Sequence, residues 1–297
     1  MRVGFITSLH NHLPLTQAMW TSLTATLPRD LAWEIVFHDD GSTDGTRDWL
    51  RQLAASDPRV RVILAERNVG FAAGNNTAAR ATDADILFFL NNDLVLLPGW
   101  FEPMFALVSA PDPQLGFVGN LQLTVRDRTL DHRGVKFDTL RRPFHDRAPR
   151  PWHARRPASF YRAVTAACCA IRRELFLAHG GFDEAFRNGY EDIDLCLRLG
   201  RAGHRHCVAN RSVVLHHVSG SAGRFAHEEA NRRLYHARWG WPQDRLPLRL
   251  RGRAYLATYW RRPWRYNGSK LLLALAWVAT NRPCEPLRAR LRTHIKF

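Results

Sequence analysis

Four short apolar runs punctuate the first third of the chain, at Val3 to Thr7, Glu34 to Phe37, Val60 to Leu64 and Ile86 to Leu90. Each has the length of a strand, and each is followed by a longer stretch of helix-like composition. That alternation predicts an α/β domain whose sheet is mostly parallel and covered by helices on both faces. In such sheets ligands bind beyond the carboxyl ends of the strands. Three runs end on polar residues there, in ITSLHN, FHDDGSTDGT and LNND. The stretch Thr124 to Ala158 has no sustained periodicity and reads as a long loop or a pair of edge strands. Regular structure resumes in FYRAVTAACCAIRRELFLAHGGF, an apolar strand running into a short helix that stops at Gly180-Gly181.

Composition narrows the class. At 297 residues and 45% hydrophobic content the chain can bury a large core and is not disordered. Five cysteines, Cys168, Cys169, Cys196, Cys207 and Cys284, show no zinc spacing and are expected to be reduced and buried. The opening MRVGFITSLHN enters a strand directly, without a signal-peptide pattern, so the expected location is cytoplasmic. The net charge of +16 is concentrated at one end: Arg245 to Phe297 holds thirteen Lys or Arg against the single acid Glu285. Such a tail suits nucleic acid or an anionic membrane face, and composition alone does not choose. Within it, SKLLLALAWVATN is about half the length a bilayer core requires. With Trp260, Trp264, Tyr266 and Trp277 among arginines, it reads either as an interfacial helix or as a helix packed on the domain with a solvated basic face.

Several short motifs carry candidate chemistry. DDGSTDGT puts Asp39 and Asp40 at a strand end before a capped helix start, where a carboxylate can accept hydrogen bonds from a nucleobase or ribose. Alone it also reads as a well-capped turn. No GxGxxG follows the first strand, which argues against a nicotinamide or flavin cofactor. In RNVGFAAGNNTAAR, Gly70 and Gly74 permit close backbone approach and Arg67 can reach a phosphate. GYEDIDLCLRLGRAG opens a helix with Glu191, Asp192 and Asp194, which favour the helix dipole in any case. VVLHHVSGS ends a strand on His216 and His217, which alternation places on opposite faces.

Taken in order, Asp39-Asp40-Gly41-Ser42, Asn68-x-Gly70-x-Ala72-x-x-Asn75, Asn91-Asn92-Asp93, the block GGFDEAFRNGYEDIDLCLRLGRAGHR and then HHVSGS resemble the family-2 glycosyltransferases of GT-A fold, over about residues 2 to 222. The finer likeness is to the branch decorating bacterial surface polysaccharides, including rhamnosyltransferase-like members. The resemblance implies a Rossmann-like, nucleotide-binding, mostly parallel sheet flanked by helices, over residues 1–222, and the Arg- and Trp-rich composition beyond it reads as a basic helical extension over 223–297. The resemblance also implies inverting transfer of a hexosyl or deoxyhexosyl group from a nucleotide-diphosphate sugar, UDP- or dTDP-linked by preference, to a glycan or lipid-linked acceptor. The donor would be bound by Thr7, Asp39, Asp40, Arg67, Gly70, Asn75, Asn91 and Asn92. A divalent metal, Mn²⁺ or Mg²⁺, would be held by Asp93 with His216, His217 being the second choice. The family's Asp-x-Asp has lost its first acid to Asn91, which predicts metal binding only once a diphosphate supplies further ligands. Asp192 is expected as general base, with Glu191 orienting a substrate group and Asp194 structural. A nucleic-acid-binding protein and an inactive scaffold are the competing readings. The basic residues lie beyond the motifs and Glu191, Asp192 and His216 are intact, so no nucleic-acid partner is expected.

Overall fold

A computed structural model describes residues 1–138, 141–148, 155–217, 227–240, 247–259 and 268–282. The chain groups into two compact units, Met1–Lys136 with His145–Arg232, and Phe137–Phe144 with Arg233–Phe297. The expected division at residue 222, like Cys284, Trp260, Trp264 and Tyr266, lies outside the described residues.

In chain order the elements are β1 (Val3–Leu9), α1 (Leu13–Thr26), β2 (Trp33–Asp39), α2 (Thr46–Ser56), β3 (Val60–Leu64), α3 (Phe71–Arg80), β4 (Ile86–Leu90) and β5 (Leu94–Leu96). There follow α4 (Phe101–Val108), β6 (Leu115–Thr124), β7 (Leu130–His132), β8 (Val135–Phe137), β9 (Pro143–His145), β10 (Ala158–Tyr161), β11 (Cys168–Arg172), α5 (Arg173–Ala178), α6 (Glu191–Arg201) and β12 (Arg205–His216). The helices α7 (Glu228–Trp239), α8 (Leu248–Tyr259) and α9 (Gly268–Thr280) complete the described residues.

The α/β expectation holds. The main sheet runs β10-β12-β6-β11-β4-β1-β2-β3, with β5 added to β12 and β7 to β6. Strands β3, β2, β1 and β4 are parallel, as short helical crossovers require. Strand β11 reverses direction between β4 and β6, so the sheet is mixed beyond the first four strands. Their inward residues, Val3, Phe5, Ile35, Phe37, Ile86 and Phe88, join Trp33, Trp100 and Phe101 in one aromatic-rich core. Ring contacts such as Phe88 on Trp100 at 5.9 Å and 90° suit the edge-to-face preference of aromatic quadrupoles.

Thr124 to Ala158, expected as loop or edge strands, contains β7, added at the end of β6, and the separate ribbon of β8 and β9. Their polar, arginine-rich sequence hides strands only three residues long. The four described cysteines are buried and unpaired, and burial pushes the Cys207 thiol up to about 12.

In the second unit α8 and α9 pack on each other. Gly252 makes the contact possible, because a Cβ there would collide with the Ala274 carbonyl. Arg249 closes the end of α9, its Nε donating to the Val278 carbonyl at 2.8 Å. Among the described residues no helix is long and apolar enough to cross a membrane.

Candidate active site

The carboxyl ends of β1, β2 and β4 meet loops that hold one another in place. Asn11 and His12, both at positive φ, turn the chain sharply from β1 into α1. Asn11 accepts the Thr43 N–H at 2.7 Å, and its own N–H donates to Ser42 Oγ at 2.7 Å. Asn92 Nδ2 donates to Thr16 Oγ1 at 3.0 Å, which ties the β4 end to α1. These bonds fix a frame into which fewer groups point freely.

Asp39 and Asp40 are adjacent but differ in what they touch. Asp40 accepts the Val69 N–H at 2.6 Å and the Gly70 N–H at 2.9 Å, so both its oxygens hold the turn before α3. That turn needs Gly70, whose φ is 92°. Asp39 is fully buried, with Oδ2 accepting the Ser42 N–H at 3.2 Å and lying 3.4 Å from Arg47 Nη1. Its Oδ1 is buried without a hydrogen-bond partner, as are Thr7 Oγ1 and His38 Nδ1. Buried polar atoms are ordinarily paired. Asp39 Oδ1 and Thr7 Oγ1 can meet a ligand's polar groups, whereas the His38 ring is packed under Gly74 of α3. Burial lowers the pKa of His38, against the opposing fields of Asp40 and Asp39.

Of the other expected donor residues, Arg67 is exposed and Asn91 half-buried. Asn91 donates its backbone N–H to Ala167 at 2.8 Å. Asn75 Nδ2 bonds back to the Phe71 carbonyl at 2.8 Å, within its own helix. Its neighbour Asn76, which sequence reasoning passed over, clamps Phe182 in both directions, accepting its N–H at 2.9 Å and donating to its carbonyl at 2.8 Å. That clamp joins α3 to the glycine-rich loop ahead of α6. The only signal for it was the doubled asparagine.

Asp93 follows β4, and strand pairing carries His216 to it: His216 is opposite Leu94 in β5 and Thr124 in β6. The two side chains are 8% and 7% exposed residues, with His216 Nε2 3.2 Å from Asp93 Oδ1. His217 is exposed. Asp131, absent from the sequence expectations, stands behind, with Oδ2 4.0 Å from His216 Nδ1 and Oδ1 held by Arg147 at 2.7 Å. At that distance Asp131 makes no hydrogen bond to the ring and places a second carboxylate behind it. Among the described residues no three His, Cys, Asp or Glu side chains gather as a closed metal site. The oxygen and nitrogen of Asp93 and His216 nevertheless fit a divalent ion whose remaining ligands come from a diphosphate and water.

Tyr190, at a φ of 75°, caps the start of α6. Asp192 is half-buried, accepting the Ala166 N–H at 3.0 Å and the Ile193 N–H at 2.8 Å. Glu191 is buried and accepts the Gly189 N–H at 2.6 Å. Asp194 is fully buried against Arg198 Nε at 2.8 Å, and Arg198 also donates to the Gly181 carbonyl at 2.6 Å. Of the three acids, Asp192 is the one that combines partial exposure with a fixed position. His145, from β9, lies in the fields of Asp192 and Asp131, and its ring is 4.6 Å from that of His132.

Residues 5–178 match Glycosyl transferase family 2. The O-antigen biosynthesis protein RfbC of Myxococcus xanthus is 32% identical over 189 residues, 61% of this chain and 15% of that protein. The N-acetylglucosaminyl-diphospho-decaprenol L-rhamnosyltransferase of Mycobacterium tuberculosis is 30% identical over 217 residues, 64% of this chain and 68% of that one. Among solved structures, GalNAc-T7 with UDP, GalNAc and Mn²⁺ superposes with a TM-score of 0.67 at 16% identity, over 99% of this chain and 58% of that chain. The chain thus spans only a small part of the Myxococcus relative, and the fold is GT-A. With a matched region covering more than half of its length, the chain belongs to glycosyl transferase family 2.

Proposed function

We propose that this protein transfers a sugar, with inversion, from a nucleotide-diphosphate donor to a hydroxyl of a glycan or lipid-linked acceptor in surface polysaccharide synthesis. The observation that carries the reading is the order of groups along the strand ends. Unsatisfied Asp39 Oδ1 and Thr7 Oγ1 lie at one end, the Asp93–His216 pair farther along, and Asp192 is presented by α6. Asp39 receives a base or ribose donor. Asp192 takes the proton of the acceptor hydroxyl as its oxygen bonds to the anomeric carbon and the bond from that carbon to the diphosphate breaks. The two N–H bonds to Asp192 hold it in position for that transfer. A bound Mn²⁺ or Mg²⁺, held by Asp93 and His216, would supply charge neutralisation for the departing diphosphate. Glu191 keeps the loop ahead of α6 in place through Gly189. A uridine or thymidine diphosphate sugar and transfer of a hexosyl or deoxyhexosyl group complete the reading, the latter supported by the rhamnosyltransferase relative.

The second unit is proposed to dock on the anionic cytoplasmic face of a membrane. Leu272 and Leu275 on α9 are 61% and 48% exposed, beside the exposed Arg249 and Arg253 of α8, within a segment carrying thirteen basic residues.

The deciding experiment is a thermal-shift panel of UDP, dTDP, GDP and CMP, each with and without Mn²⁺. A ligand at a hundred times its Kd adds about 2.7 kcal/mol. UDP or dTDP with Mn²⁺ is expected to raise Tm by several degrees, and no response to any nucleotide would defeat the reading.

A further inference from the structure

We propose that the turn carrying His132 and Arg133 is a phosphoryl-binding subsite for the acceptor, beside the base. The inference rests on the glycosyl-transfer reading and names a chemical feature of its acceptor. Arg133 is 8% exposed, and its Nε and Nη1 are buried without a hydrogen-bond partner. Other partly buried guanidiniums have acidic partners: Arg198 has Asp194, and Arg47 has Asp39. A guanidinium cannot shed its proton, and burying one without an anion is costly. The group that matches its planar fork is a phosphate or carboxylate held by two N–H bonds.

His132 precedes it and offers a second donor. Its Nε2 accepts the Gly134 N–H at 3.0 Å, which leaves the ring proton on Nδ1, and Nδ1 is buried without a partner. The turn is braced. Gly134 has a φ of 113°, and the Tyr161 ring fills the place where a Cβ would stand. The Gly134 carbonyl accepts the Asp146 N–H at 2.8 Å, and Asp146 is itself held by Lys136 at 2.8 Å and the Tyr161 hydroxyl at 3.1 Å. Two unsatisfied donors on successive residues of a turn held this firmly are a built feature.

Topology separates the turn from the nucleotide end. Strand β7 is attached to β6, and β11, β4 and β1 intervene between β6 and β2, which carries Asp39. The His132 ring meets His145, which is in the fields of Asp131 and Asp192, and Asp131 Oδ2 is 4.0 Å from His216 Nδ1. On this proposal a phosphoryl group here belongs to the acceptor whose hydroxyl Asp192 deprotonates, and the donor diphosphate at Asp93 and His216 is the rival occupant that the titration separates. A sugar joined to a lipid through a diphosphate has that chemistry.

The test uses the full chain and inorganic pyrophosphate, titrated by calorimetry in EDTA so that metal-dependent donor binding is suppressed. The wild type is expected to bind. Arg133→Met should bind about 10- to 100-fold more weakly, the range for loss of a charge-assisted hydrogen-bonded anion. Excess UDP, also in EDTA, should leave pyrophosphate binding unchanged. Because Arg133→Met removes an unpaired buried charge, its Tm without anion should match or exceed that of the wild type, which shows that it is folded. In transfer assays the variant should raise KM for a diphosphate-bearing acceptor while KM for a phosphate-free one stays put. Absence of metal-free pyrophosphate binding by the wild type, or equal binding by Arg133→Met, overturns the subsite. Displacement of pyrophosphate by UDP moves the anion to the donor side and overturns the acceptor assignment. Failure of the glycosyl-transfer reading would show separately, as a nucleotide panel without any response.

Discussion

At the scale of single residues, the three acids at the start of α6 show how little distinguishes a base from a brace in sequence. EDID gives Glu191, Asp192 and Asp194 equal claims, and each makes a different set of bonds. Asp192→Asn keeps size and hydrogen bonding while removing basicity, so kcat should fall by about 10² or more with nucleotide affinity unchanged. Single-turnover kinetics beside a nucleotide titration measures both. Near-native turnover in that variant would remove Asp192 from the role. Asp194→Asn should instead lower stability by about 3 kcal/mol, because it leaves Arg198 without its buried anion. Urea denaturation checks this, and an unchanged midpoint with lost activity would reverse the two assignments. The difference between Asp39 and Asp40 was equally illegible in sequence, since it depends on which carboxylate the turn before α3 folds onto.

At the scale of elements, runs of hydrophobic residues were a faithful guide to β1 through β4. Strands β1, β2 and β4 are buried on both faces, so apolar residues dominate them, while the edge strand β3 is only partly buried. The apolar burial of α6 falls on Leu195, Cys196, Leu197 and Leu199, while Gly200 is exposed. The short strands β7 to β9 left no periodic trace, and with them Asp131, His132 and His145 went unnoticed. Asp131 is brought to His216 by strand pairing across long sequence separations, which a local pattern cannot record. The join between α6 and β12 offers a pH test. His206 Nδ1 accepts the Phe117 N–H at 3.0 Å and Nε2 lies 2.9 Å from the Cys196 carbonyl, so the folded protein holds the ring neutral. Burial lowers its pKa from 6.5 to about 4. The unfolded chain then binds more protons between those values, so stability should decline as pH falls from 6.5 toward 4, by about 3 kcal/mol, and level off below. Chemical denaturation across that range should show the decline, and His206→Gln should flatten it. A second test is Gly74→Ala in α3. Its Cβ would press within 3.0 Å of Ser8 Cβ and within 2.8 Å of His38 Nδ1, costing about 1–3 kcal/mol. A Tm equal to that of the wild type would show that α3 can draw back from β1.

At the scale of the molecule, metal and membrane are the two associations to be measured. Asp93 and His216 alone are a sparse ligand set. Calorimetric titration of Mn²⁺ should therefore show weak uptake by the empty protein and tight uptake once a nucleotide diphosphate is present. Tight uptake by the empty protein would contradict the shared-ligand account. For the second unit, flotation with liposomes should show binding that requires anionic lipid and weakens with salt. Indifference to such liposomes, with salt-sensitive binding to RNA or DNA instead, would favour a nucleic-acid partner for the basic segment.

The unsatisfied atoms at the strand ends bear on how such a chain ages under selection. Thr7 Oγ1, Asp39 Oδ1, His132 Nδ1 and the Arg133 guanidinium are each buried with hydrogen-bonding capacity unused, and replacement by an apolar group of similar shape relieves that cost. A duplicate gene released from its biochemical duty would meet no barrier at these positions and would gain heat resistance by changing them. Its core would remain under constraint throughout. Laboratory evolution for thermostability alone should follow the same route, fixing apolar replacements at Arg133 and Thr7 among its early gains.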